Sequence, residues 1–437
     1  MKKFFSIAAL AALVIAAVSC DPKDDGLCKV KVQLTSEGQN LAVEGVKVSL
    51  SDEAGAASFE ALSDASGIAS FKVPAGAYVA KAFYSTVEAD AKISYNGSAN
   101  IAVAAEGTFP LALNKVLGSQ IIIKELYFGG CQKNDASGAF SDDAYCILYN
   151  NSDKEADASQ IIFGILNPSN GHATNKFITN GALKYENEGW VPGYSAIWWF
   201  TAPVKIPAYS QIVVVFFSAI DNTATYTNSV NLSNPDYYWM SNKDIIATFK
   251  AAKYAVADAI PSSHYLGTVP FNSGTAWVLS NSAPAFFIGK AAQSEVETLV
   301  TNKDAFDLTA GALASMGAPK VPTSWIQDAV ECWSAPDVAK SNYRFPAKVN
   351  TGAVAITNKQ GYTAYRNVDK DATEAIAGNE GKIVYNYAGG TTDIEGGSTD
   401  PSGIDAEASI KAGAKIVYSD TNDSSKDFHQ RKVSSLK

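Results

Sequence analysis

The strongest constraint on this chain is a period-two alternation that begins at Cys28. In "CKVKVQLT", Val30, Val32 and Leu34 fall on one side of an extended backbone; "VEGVKVSLSD" repeats the pattern with Val46, Val48 and Leu50. Successive side chains of a strand point to opposite faces, so this spacing predicts half-buried strands. A third run, "GIASFKVPAG", is bounded by Gly67 and by Pro74 and Gly76, and "AYVAKAFYS" follows it. Short strands at roughly ten-residue intervals, separated by Gly and Pro turns, predict a small antiparallel β-sandwich over residues 28–115. The alternation stops at "LNKVLGSQ", Leu113 to Gln120, and a domain boundary is placed there.

What precedes the first strand is of another kind. Met1, Lys2 and Lys3 lead into an apolar run from Phe4 to Val18, a signal-peptide core too short to cross a bilayer as a helix. Ala17, Val18, Ser19 and Cys20 resemble the bacterial lipoprotein signal. That resemblance implies removal of residues 1–19 and acylation of Cys20, which would tether the protein to a membrane through more than one chain. A soluble export signal cut nearby is the alternative. Residues 20–27, including the charged "DPKDDGL", read as the tether. They resemble the acidic export signal of surface-exposed Bacteroidetes lipoproteins, with Lys23 one place later than usual. The resemblance implies a lipid-anchored outer-membrane protein facing the cell exterior.

The chain has 44 acidic and 35 basic side chains, a formal charge of -9 that becomes -11 once Lys2 and Lys3 are removed with residues 1–19. An acidic protein is a poor partner for nucleic acid or anionic headgroups, because phosphate recognition needs clustered Lys and Arg. No segment after the signal approaches eighteen uninterrupted apolar residues, so no transmembrane helix is expected. Four cysteines follow Cys20, and their spacing does not suit zinc. Cys131 and Cys146 flank the polar loop "QKNDASGAFSDDAY". A disulfide between them and two buried thiols are both open readings.

Two further resemblances carry domain assignments. "VEGVKVSLSDEAG" followed by "SDASGIASFKVPAGAYVAKAF" is similar to the carboxypeptidase regulatory-like, or prealbumin-like, module, with Asp64, Gly67, Phe71, Gly76 and Tyr78 at its signature positions. This implies a spacer without catalytic residues. "IIIKELYFGG" and "DDAYCILYNNS", with Glu125, Tyr145, Leu148, Tyr149 and Asn150, resemble the opening of lamin-tail-like immunoglobulin sandwiches. "KIPAYSQIVVVFFS", with Tyr209 where glycine is usual, and the closing Asp420, Thr421, Asn422, Ser424, Asp427 and Phe428 continue that likeness. Residues 116–437 therefore read as a lamin-tail-like domain with an insertion at about 222–347. Within it, "DIIATFKAAKYAVADAI" places Ile245, Ile246, Phe249, Val256 and Ile260 on one helical stripe that Pro261 ends. The whole resembles a Bacteroidetes lipoprotein family expected beside TonB-dependent receptors, a likeness that implies a partner and no chemistry.

Catalytic motifs for acyl transfer, phosphate binding, dinucleotide binding or zinc proteolysis are not found in the sequence. The three histidines, His172, His264 and His429, are far apart in sequence and read as structural. Asp393, Glu395, Asp400 and Asp405 lie in the Gly-rich segment Ala388 to Ser409, read as a mobile loop; they are calcium candidates whose spacing is not that of an EF-hand. Asp135, Asp142 and Asp143 read as solvated loop acids. Aromatic residues say more. Trp190, Tyr194, Trp198, Trp199 and Phe200 crowd one run, and Tyr237, Tyr238 and Trp239 another. Core filling explains most of these rings, whereas Trp190, Trp199, Tyr237, Tyr238 and Trp239 are the candidates for an exposed ligand-binding surface. The expectation is a mainly β protein: a small antiparallel β-sandwich, then a larger immunoglobulin-like, lamin-tail-like sandwich with a partly helical insertion. Its expected role is a non-enzymatic lipoprotein that needs no cofactor and binds a nutrient or glycan ligand or assists a TonB-dependent receptor. An adhesive surface protein and a carboxylate-based hydrolase are the rival readings.

Overall fold

The computed structural model describes residues 26–52, 57–88, 91–241, 251–271, 279–309 and 317–437. Cys20, and Ile245, Ile246 and Phe249 of the expected helix, lie outside them. The protein is mainly β and divides into two compact units, the first of residues up to 82 with 97–113, the second of 83–96 with 114–437. The division falls after residue 113, and the second unit also takes 83–96.

In the first unit the strand Leu27–Ser36 buries Cys28, Val30, Val32 and Leu34 and turns Lys29 and Lys31 outward. It pairs antiparallel with Ile68–Pro74 and parallel with Gly107–Ala112, so the sandwich is not purely antiparallel as expected. Lys47–Asp52 joins Ser58–Leu62 on one side and the start of Gly76–Glu88 on the other. The signature residues build the turns. Asp64 accepts hydrogen bonds from the Ser66 N–H (2.9 Å), the Ser66 hydroxyl (2.8 Å) and the Ile68 N–H (3.1 Å). Gly67 follows at φ +76°, where a β-carbon would stand 1.9 Å from the Leu41 carbonyl oxygen, so only glycine fits. Tyr78 donates to the Pro74 carbonyl at 2.8 Å and pins the next corner.

The second unit is built on two sheets. One runs Tyr238–Trp239, Gln211–Val215, Tyr145–Asn150, Ile121–Tyr127, Thr363–Arg366 and Phe428–Arg431. The other runs Gly267–Pro270, Trp190–Trp199, Ile161–Leu166, Ala285–Lys290, Ile326–Ser334 and Val354–Ile356, with Lys320–Pro322 also on Trp190–Trp199. Ile123, Ile147 and Val213 of the first sheet meet Phe163, Trp198, Phe286 and Val330 of the second in one core. The sheets are covered on their outer faces too. Trp199, Ile197 and Phe287 pack with Val296 and Val300 of the helix Gln293–Thr301. On the other sheet Ile122 and Tyr149 pack with Ile404, Ile416 and Tyr418. Burial on both faces explains why these strands read as continuous apolar runs rather than alternating ones.

Two expectations are corrected here, and the open choice at the cysteines is decided. The segment 222–347 is no appendage: it supplies Tyr238–Trp239 to one sheet and Gly267–Pro270, Ala285–Lys290 and Ile326–Ser334 to the other. The helix does not reach Ile260: after a single 3-10 turn at Ala251–Tyr254 the chain extends, because Ala255 and Ala257 bond to the backbone of Ala219. Cys131 and Cys146 are buried free thiols. Cys146 faces Leu126 across the central ladder, while Cys131 pairs with Phe140 in a separate ribbon and its thiol turns to Asp143.

Charged side chains tie the sheets to their covers. Arg366 is fully buried and donates to the carboxylate of Asp328, the Ile123 carbonyl (2.7 Å) and the Ser419 carbonyl (2.8 Å). Asp420 and Asp427 lie 3.5 and 3.9 Å away, and Phe428 packs against the guanidinium. Burial pushes Asp328 and Asp427 up and Arg366 draws them back, while the acids hold the guanidinium charged. Glu125 accepts from Tyr145 at 2.8 Å and from the Ser435 N–H at 3.2 Å, which locks the C-terminal segment. Lys124 stands beside Glu407 (2.6 Å) and is ringed by Tyr149, Tyr365 and Tyr418 at 5.7–5.9 Å.

Lys92 is the exception to this pairing. It is 4% exposed and lines a cavity of about 100 Å³ with Ser94, Asn151, Asp369 and Asp420, and among the described residues it makes no direct hydrogen bond or ion pair. Burial pulls its pKa down from 10.5 to about 8, with Asp369 and Asp420 opposing. The unfolded chain therefore keeps a proton that the folded one releases, and stability rises with pH between about 8 and 10.5. Lys92→Met is expected to stabilise the second unit by about 1–3 kcal/mol at pH 7 and to flatten that rise. Calorimetric melts of both proteins at pH 7 and 9.5 measure it; an unchanged melting temperature at pH 7 would contradict the buried-charge argument.

Candidate functional site

A cleft of about 710 Å³ opens in the second unit between the segments 178–186 and 341–352. That volume sits within the roughly 300–1,000 Å³ typical of ligand pockets. The short strands Ile178–Thr179 and Ala182–Leu183 form a hairpin through Gly181, whose φ of +81° turns the chain. Leu183 and Phe345 give the cleft an apolar floor, and Ser341, Asn342, Asn350 and Thr351 give it hydroxyls and amides. Tyr343 is 47% exposed and packs against Trp333, centroids 4.6 Å apart and tilted by 44°. Glu186 accepts the Ala347 N–H through Oε1 at 2.8 Å.

One buried ion pair fixes the second wall. Glu331, on the strand Ile326–Ser334, accepts from Nε of Arg344 at 2.9 Å and from the Arg344 N–H at 3.1 Å. Arg344 also donates to the carbonyls of Pro168 (3.0 Å) and Ala283 (2.9 Å), and its own carbonyl accepts from Tyr185 at 2.7 Å. All three guanidinium nitrogens donate, so Tyr343 and Phe345 on either side are held by a rigid residue. Burial pushes the Glu331 carboxyl up and Arg344 draws it back.

The rings singled out from sequence lie elsewhere. Trp190, Trp199 and Trp239 are buried, so no binding surface is built from them. Trp190 donates to Glu188 at 2.7 Å and packs on Tyr185; Trp239 donates to the Phe217 carbonyl at 2.8 Å. Tyr237 and Tyr238 are half-buried; Tyr238 stacks on His264 at 4.4 Å, and the Tyr237 carbonyl lies 3.1 Å from Nδ1 of that ring. Double-sided cover of the sheets is what hides the tryptophans.

The other candidates have separate structural partners. Asp400 accepts the N–H groups of Val368 and Ser402 at 2.8 Å, Asp405 caps the helix Ala406–Lys411, Asp393 accepts from Gln430 at 2.8 Å, and Glu395 is exposed. Among the described residues no three of His, Cys, Asp or Glu stand close enough to share a metal ion, so the structure does not bring the calcium candidates together. The segment 388–409, expected to be mobile, is tied down by bridges from Gly390 to Arg431 and Thr391 to Ser398. Asp135 accepts from the Ser137 N–H, and Asp142 lies 3.6 Å from Lys253. Asp143 is not solvated: it is buried, accepts from Tyr127 (3.1 Å) and Ser229 (2.5 Å), and burial raises its pKa to about 6. His429 is buried between Tyr387 and Asn367, both at 2.7 Å, and burial pushes its pKa down to about 3, so it is neutral. His172 lies 4.0 Å from Asp337.

Sequence reading missed Tyr343, Phe345, Asn342 and Glu186. The cleft joins segments more than 150 residues apart, and the available cue was the pair Tyr343 and Phe345 inside the turn-rich "SNYRFPAKVN".

The architecture defines a class: a two-unit β protein whose larger unit is a sandwich covered on both sides and notched by a mixed aromatic and polar cleft. Within that class, the model of a family described as a protein of unknown function, DUF4876, matches residues 208–386. The crystal structure of a DUF4876 family protein from Bacteroides thetaiotaomicron VPI-5482 has the same fold, with a TM-score of 0.59 at 16% identity over 93% of this chain and 95% of that one. A DUF3823 family protein from Parabacteroides merdae ATCC 43184 gives a TM-score of 0.17 at 11% identity over 44% of this chain and 81% of that one. No curated protein matches the sequence.

Proposed function

We propose that this protein is a non-enzymatic, lipid-anchored surface protein that binds a saccharide in the 178–186 and 341–352 cleft. The observation that carries the reading is Tyr343, an exposed ring held by Trp333 beside a row of amides and hydroxyls. Apolar sugar faces stack on aromatic rings while side-chain amides and hydroxyls meet their hydroxyl groups. A binding role suits the cleft better than hydrolysis. Its lining contains a single carboxylate, Glu186, whereas glycoside hydrolysis ordinarily uses two flanking the scissile bond. The lipoprotein signal ending at Cys20 supports the anchor, the regulatory-like module suits a spacer, and a TonB-dependent receptor is the partner this reading would place beside it.

Tyr343→Ala is expected to weaken saccharide binding about 3–10-fold, the scale of one stacking contact, without moving the melting temperature by more than a few degrees. Glycan-array screening of the full mature chain followed by calorimetric titration of the hits measures this. An array with no hits would remove the saccharide reading. Cys20→Ala should shift the protein from the detergent phase to the aqueous phase on Triton X-114 partition, which tests the anchor independently.

A further inference from the structure

The charge pattern of the cleft says which saccharides it admits. Glu186 is the one carboxylate among the lining residues, and the lining contains no Lys, Arg or His. Of the lysines next to lining residues, Lys184 is committed to Asp307 (2.8 Å) and Thr309 (2.7 Å), Lys340 is held by Asp337 (2.8 Å), and Lys348, beside Ala347, is exposed outside the lining. Arg344, between two lining residues, is fully buried and its charge is met by Glu331. No lining residue is cationic, so the one charge an anionic ligand meets within the lining is that of Glu186. Glu186 itself is half-buried, and with Oε1 held by the Ala347 N–H its Oε2 makes no hydrogen bond among the described residues.

We infer that the cleft selects neutral oligosaccharides and rejects uronic, sialylated or sulfated ones, with Glu186 as the specificity-determining residue; this rests on the binding reading above. A free carboxylate oxygen accepts hydroxyl hydrogen bonds from a neutral sugar, and charge-assisted bonds of this kind are the stronger ones. The same oxygen repels a ligand carboxylate or sulfate, and like-charge juxtaposition across an interface is strongly disfavoured. Selectivity would then come from a repulsive element as much as from an attractive one.

The test is calorimetric titration of the full mature chain with neutral gluco- and manno-oligosaccharides and with oligogalacturonates of equal length, at low and at physiological salt. The expected result is at least tenfold tighter binding of neutral chains, with the gap narrowing as salt rises. Glu186→Gln, which keeps an oxygen for the Ala347 N–H, should narrow the preference at least threefold, and Glu186→Lys should narrow it further or reverse it. Binding of oligogalacturonates as tight as or tighter than neutral chains by the wild type would overturn the inference while leaving a saccharide-binding protein. An unchanged preference in both Glu186 variants would also overturn it. Failure of every saccharide to bind would remove the cleft reading along with it.

Discussion

Arg366→Met is expected to destabilise the second unit by about 3–5 kcal/mol at pH 7, the cost of stranding buried charges whose partner is gone. Asp328 would keep only the Ile123 and Ala329 N–H groups, and Asp420 and Asp427 would lose their shared counter-ion. The Ile123 and Ser419 carbonyls would lose a donor in the same step. The cost has a pH signature. Without the guanidinium Asp328 and Asp427 rise further, so protonating them relieves the repulsion, and the gap to wild type should shrink as pH falls from 7 toward 5. Chemical denaturation at both pH values measures this. A loss below 1 kcal/mol, or a gap that widens in acid, would show that the cluster is solvated rather than buried.

Glu331→Ala should cost a similar 3–5 kcal/mol and, in addition, reach the cleft. It leaves the Arg344 charge buried, held only by the carbonyls of Pro168 and Ala283. Tyr343 and Phe345 flank that residue, so saccharide affinity should fall in the same variant although Glu331 does not line the cleft. The double variant Glu331→Met with Arg344→Met tells the two effects apart. Removing both charges should return most of the stability, because a buried pair replaced by apolar side chains is often neutral, while affinity should stay reduced because methionine does not anchor the segment. A double variant as unstable as the single one would mean the site depends on packing around Arg344 and not on its charge.

The same two ion pairs show where sequence reading stops. Arg366 and Asp328 are 38 residues apart, and neither sits in a pattern that marks a buried charge. Glu125 and the Asp420 to Phe428 stretch stand out in the sequence only through a resemblance, and what they do is visible only once the 121–127 strand, the C-terminal segment and Arg366 converge. The tryptophans teach the converse. Trp198 and Trp199 point to opposite faces, as period two requires, but whether a face is wet depends on what covers it, and here both are covered.

By itself the sequence determined the β class and the strand faces of the first unit, because alternation bounded by Gly and Pro is a local matter. Asp64, Gly67 and Tyr78, picked out by a resemblance, stand at turns and corners of the first unit. Only the tertiary structure decided that 222–347 belongs to the sandwich, that Cys131 and Cys146 stay apart, and that an exposed tyrosine rests at a cleft. Those outcomes depend on contacts between segments far apart in the chain, and a local pattern carries no record of which distant segment will arrive.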